Sequence, residues 1–98
     1  MVLYEMGLIL RASSKEATAA ILRRISLSVM DLGGLLTEIE NLGQRELPYR
    51  MRSHTEYHTK GRYFFFYFHG SPSIVKRLDA DCLKMDEDIV RATILKKD

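Results

Sequence analysis

Six consecutive aromatic residues, Tyr63-Phe64-Phe65-Phe66-Tyr67-Phe68, constrain this chain more than any other feature. With flanking Arg62 and His69 they read as a strand. Successive side chains of a strand point to opposite faces, so three rings fall on each side. If Tyr63, Phe65 and Tyr67 turn inward, then Phe64, Phe66 and Phe68 turn outward, and the other register reverses the two sets. A sheet face without a cover is normally polar. Here both faces of one strand are aromatic. At ~150–250 Å² of burial per ring, the outward three form a patch that monomers seldom leave bare. Either the chain's own loop or tail covers it, or another macromolecule does.

The remaining elements limit what can provide that cover. Tyr4 to Leu10 alternates as a strand, with Tyr4, Met6, Leu8 and Leu10 on one side. Ser13-Ser14-Lys15-Glu16 reads as a capping box through Ser13 and Glu16. Ala17, Ile21, Ile25, Val29 and Leu32 follow at near-helical spacing, and Gly33-Gly34 ends that helix. Leu35 to about Met51 alternates brokenly, as a bent or bulged strand does. Pro48 cannot donate to a ladder, which places this strand on a sheet edge. The polar stretch from Arg52 to Gly61 reads as the loop of a long hairpin leading into the aromatic strand.

Ser71-Pro72 starts a second helix whose inner stripe is Val75, Leu78, Cys82 and Met85. Asp86-Glu87-Asp88 reads as a solvated turn, and Ile89 to Leu95 as the last strand. The order β-α-β-β-α-β is that of a ferredoxin-like α+β sandwich: a four-stranded antiparallel sheet with two helices on one face. The first and third strands take the centre. A chain of 98 residues supports one such domain, spanning 1–98. Two helices cover one face only, so the cover for the outward rings has to come from elsewhere.

Charge is segregated. From Gly43 to Arg62 five basic residues face two acidic ones, a local +3 within a chain of net +2. Arg45, Arg50, Arg52, Lys60 and Arg62 interleave there with Tyr49, Tyr57, His54 and His58. Cations mixed with rings suit phosphate neutralisation and stacking on bases, so this hairpin is the expected RNA-binding segment. The plainer alternative is an ordinary solvated hairpin.

No constellation for catalysis is found. Ser13 and Ser14 are explained as caps, and Cys82 on an apolar stripe as an inert buried thiol that can form no intrachain disulfide. His54 and His58 lie in the expected loop without a cysteine ligand near them, so no metal site is expected. Neither a cofactor nor a small-molecule substrate is expected, and no glycine-rich phosphate loop is present. No apolar run approaches the roughly 18 residues that span a bilayer, and the N-terminus has the character of neither a signal peptide nor a removable presequence. Lys60-Gly61-Arg62-Tyr63-Phe64-Phe65 partly matches the stacking strand of an RNA-recognition motif, with Arg62 in place of an aromatic and Phe64 in place of a small residue. A free-standing RNA-recognition domain and an oligomerising ferredoxin-like module are therefore the rival readings.

Tyr4-Glu5, Glu40-Asn41-Leu42-Gly43, Leu47-Pro48-Tyr49, Gly61 with Tyr63-Phe64, and Val90-Arg91 resemble, in order and spacing, the bacterial-type small-subunit ribosomal protein S-six family. The run Asn41 to Arg50 followed by a histidine-containing loop is similar to its mitochondrial branch. The resemblance covers nearly the whole chain. It implies the same βαββαβ fold, a non-enzymatic role in the mitochondrial small subunit, binding to small-subunit rRNA, and pairing with ribosomal protein S-eighteen. It implies RNA contacts at Arg45, Tyr49 and Arg91, and a partner surface at Tyr4, Phe64 and Phe66, to which Phe68 is added as the third ring of that set. Bacterial members often carry arginines just before Tyr4, where this chain has Val2 and Leu3. That departure shifts the expected RNA contact toward the hairpin arginines.

Overall fold

The computed structural model describes residues 2–83 and 86–97, without the side chains of Asp81 and Cys82. Four strands, β1 (Val2–Arg11), β2 (Leu35–Ser53), β3 (Glu56–Gly70) and β4 (Ile89–Lys96), alternate with helices α1 (Lys15–Asp31) and α2 (Pro72–Arg77). The second helix widens into a π-helical segment over Leu78–Leu83. The sheet is antiparallel throughout, in the order β2-β3-β1-β4. The first and third strands are central and the proline-bearing strand is on an edge, as expected.

α1 begins one residue later than the capping box requires. Ser14, not Ser13, is the N-cap, and its hydroxyl oxygen accepts from the Ala17 amide at 3.2 Å. Glu16 thereby falls at the second helical position, where it complements the helix N-terminus by charge but cannot close the box. The same shift replaces Ala17 by Thr18 on the buried stripe, with Ile21, Ile25 and Val29. Thr18 is tolerated there because its hydroxyl donates to the Ser14 carbonyl at 2.9 Å. Gly33, at φ +94°, closes the helix in the left-handed conformation.

The core lies between the helices and one face of the sheet. Met6, Leu8 and Leu10 of β1 pair across from Phe66, Phe64 and Arg62, and Ile94 and Ala92 flank them on β4. Onto this face pack Ile21, Ile25 and Val29 of α1, and Leu78 and Leu83 of the π-helical segment. Val75 is half-buried against the same core, whereas Cys82 and Met85 lie outside the side chains described. Phe66 and Phe68 are fully enclosed, each contributing roughly 1.5–3 kcal/mol of hydrophobic stabilisation.

Two further details differ from the expected plan for physical reasons. The segment Arg52–Gly61 is not a loop. Pairing continues through Met51 with His58 and Ser53 with Glu56, and only His54 and Thr55 turn the chain. Both have positive φ, 49° and 71°, the conformation whose twist matches a two-residue hairpin turn. The turn at Asp86–Asp88 is a clamp: Arg24 of α1 donates to Asp86 at 2.6 Å and to Asp88 at 3.1 Å. Burial lowers the Arg24 pKa and the two carboxylate hydrogen bonds raise it, with a net rise above the ordinary arginine value.

Candidate nucleic-acid and protein interface

The long hairpin shapes the uncovered face of the sheet. β2 leaves the ladder three times, and the widest break runs between Glu46 and Met51 around Pro48. In that break Tyr49 and Arg50 project into solvent, while Leu47 and Met51 turn inward. They join Val90, the extra residue of a bulge in β4, in a second apolar cluster with Ile9 and Tyr63. The approach is close enough that a Cβ on Gly61 would come within 2.5 Å of Ile9. Ser53 adds a hydrogen bond from its hydroxyl to the Ile89 carbonyl at 3.2 Å. The hairpin thus curls from one sheet edge to the other and covers one end of the open face. The chain's own cover, one of the two alternatives in the sequence, is realised at this end of the face.

The register decides which rings remain. Phe64, Phe66 and Phe68 are at most 3% exposed, and Tyr4 packs beside Phe68 with ring centroids 5.6 Å apart. The sequence-based expectation puts all four at a partner surface; all four belong to the core beneath the helices. Their partners across the sheet, Leu8, Met6 and Tyr4, share that covered face, so the set cannot point outward. The open face carries Tyr63, Phe65 and Tyr67 instead, each half-buried. Phe65 and Tyr67 sit 6.4 Å apart. A depression of about 220 Å³ opens over Gly7, lined by Ile9, Leu42, Tyr63, Phe65, Arg91 and Thr93.

The expected RNA-binding residues divide. Arg50 stacks over Tyr57 at 4.3 Å and Arg52 approaches the same ring at 5.9 Å, all three side chains exposed. Arg45 lies 6.0 Å from the Tyr63 ring, and its Nε donates to the Leu42 carbonyl. Arg91 is exposed on β4 at the rim of the depression, and Lys60 is exposed on β3. Arg62 is different. It is half-buried, and its guanidinium donates twice to the Ser13 carbonyl, at 3.1 and 3.3 Å, which ties the loop before α1 to the sheet. Two of its N–H groups are engaged inside the fold.

The other end of the open face is acidic, a feature that reading along the chain misses. Glu5 and Glu38 are the ladder neighbours of Tyr67, and Glu40 is opposite Phe65. Partial burial raises the pKa of the Tyr67 phenol above its ordinary value, and the negative fields of Glu40, Glu5 and Glu38 add to the rise. Glu5 accepts a long hydrogen bond from that hydroxyl at 3.5 Å. The alternation Glu38-Ile39-Glu40 is the one local signal of it. Among the described residues, no group of three His, Cys, Asp or Glu side chains could hold a metal ion, and no helix is long and apolar enough to cross a membrane.

The chain matches known proteins along nearly its whole length. The family model described as Ribosomal protein S6 matches residues 3–96. The chain belongs to that family. Small ribosomal subunit protein bS6m of Mus musculus, a mitochondrial member, is 42% identical over 93 residues, covering 95% of this chain and 74% of the mouse protein. Bacterial S6 proteins are also similar: that of Dehalococcoides mccartyi strain 195 is 31% identical, over 97% of this chain and 84% of its own length. In fold, 30S ribosomal protein S6 from Thermotoga maritima superposes with a TM-score of 0.85 at 17% identity, covering 98% of this chain and 87% of the other. The chain is thus an S6 protein of the mitochondrial branch, in a family of structural ribosomal proteins and not of enzymes.

Proposed function

We propose that this S6 protein is a non-catalytic scaffold of the mitochondrial small ribosomal subunit that binds small-subunit rRNA with its hairpin and pairs with ribosomal protein S-eighteen through its open sheet face. The observation that carries this reading is the division of the open face. A curled hairpin bears exposed Arg50 and Arg52 on one side, and Phe65 and Tyr67 lie only half-buried on the other. Exposed guanidinium groups release counterions when they meet phosphate, which favours RNA. Neighbouring rings left only half-buried by the described residues favour burial against a protein. Tyr49, Arg45, Lys60 and Arg91 extend the RNA-facing side; Arg62, held by Ser13, ties the loop before α1 to the sheet.

Tagged protein expressed in cells is expected to co-sediment with mitochondrial small subunits on a gradient. A chain found only in the free fractions would contradict the reading. The rival in which the open face stacks single-stranded RNA is disfavoured by Glu5, Glu38 and Glu40, which would repel the phosphates of any strand laid across Phe65 and Tyr67.

A further inference from the structure

We infer that the Tyr67 end of the open face is a binding site for a cationic, arginine-bearing segment of the protein partner, and that its carboxylates exclude RNA from that end. This rests on the reading of the open face as the surface for S-eighteen, and it specifies the chemistry of that contact.

Three observations converge. Glu5 and Glu38 stand opposite Tyr67 from the strands on either side of β3, Glu40 stands opposite Phe65, and the Glu5 carboxylate accepts from the Tyr67 hydroxyl at 3.5 Å. None of the three is neutralised by a salt bridge among the described residues. Between them lie the faces of Phe65 and Tyr67, with exposed Leu95 opposite Glu5. Carboxylates around a ring face form a receptor for a cation: the ring quadrupole attracts it and the carboxylates accept its hydrogen bonds.

The chain already shows a cation in this position. The Lys97 ammonium lies 5.3 Å from the Tyr67 ring centroid. A guanidinium suits the site better, because its plane stacks on the ring while its edge reaches the carboxylates. Lys97 is exposed and can swing away. The basic residues of the hairpin lie toward the opposite end of the face, so the two partner classes are sorted by charge.

The test uses the full chain, wild type and Glu38→Gln/Glu40→Gln, titrated by fluorescence anisotropy against purified S-eighteen and against small-subunit rRNA at low and moderate salt. Both glutamates are exposed, and matched urea midpoints will verify the fold. The double variant is expected to bind S-eighteen about tenfold more weakly, mostly at low salt, while its rRNA affinity stays equal or rises. Unchanged S-eighteen affinity in the double variant, with a wild type that binds, overturns the inference and leaves the pairing intact. Equal losses toward both ligands overturn the sorting by charge. A wild type that does not bind S-eighteen removes the pairing and the inference with it.

Discussion

Phe64, Phe66 and Phe68 differ from Tyr63, Phe65 and Tyr67 by one position along the same strand, yet the first set forms the core and the second lies half-buried on the open face. The covered set is phenylalanine throughout; the open set is tyrosine at two of three positions. A phenol keeps its hydroxyl in water or near a polar partner while its ring packs, so tyrosine marks the side that is only partly closed. Across the sheet the same division holds. Opposite the core rings stand Tyr4, Met6 and Leu8; opposite the open rings stand Glu5, Gly7 and Ile9. The polar and small residues of β1 thus report the register of its neighbour.

The comparison can be broken most directly by cutting one ring from each set. Phe66→Ala removes a fully enclosed ring and is expected to cost about 3–5 kcal/mol in urea unfolding, enough to unfold many domains of this size. Phe65→Ala is expected to cost about 1 kcal/mol or less of stability, and to weaken S-eighteen binding about tenfold. Equal stability losses from the two variants would mean that the faces are not distinct.

A second contrast separates the two ends of the open face. Arg50→Ala with Arg52→Ala should leave the urea midpoint unchanged and weaken rRNA binding. The slope of log affinity against log salt should fall by about two, one for each phosphate that is no longer neutralised. An unaltered slope would remove these arginines from the RNA surface.

The smallest effect concerns pH. Tyr67 ionises above the ordinary phenol value, so the folded chain holds this proton more tightly than the unfolded chain does. Its contribution to stability is fully present below about pH 10, the unfolded value, and is lost as pH rises through the folded one. Tyr67→Phe is expected to flatten the alkaline fall in stability relative to wild type. A parallel pair of stability–pH curves would show that neither burial nor the carboxylates raise the phenol.

Much of this architecture is legible along the chain because the signals are local. A serine cap, the Gly33-Gly34 stop, Ser71-Pro72 and the alternating runs mark where elements begin and end. Pro48 marks an edge because a missing amide is a local fact. The departures are also local in origin. A cap displaced by one residue exchanges Ala17 for Thr18. The polar stretch after Met51 reads as a loop because the strand pairing that keeps Met51 opposite His58 has no signature in hydropathy.

By itself the sequence determined the order of elements, the central place of the aromatic strand, the basic hairpin, and the fact that three rings would be left on an uncovered face. Only the tertiary structure decided which three. Strand periodicity is two, so sliding the register by one residue exchanges the faces while preserving the alternation. Tertiary structure also brought Leu47 and Met51 to Val90, and gathered Glu5, Glu38 and Glu40 around Tyr67. Those residues are distant in the chain, and neither the apolar contact nor the negative field exists until pairing has brought the strands side by side.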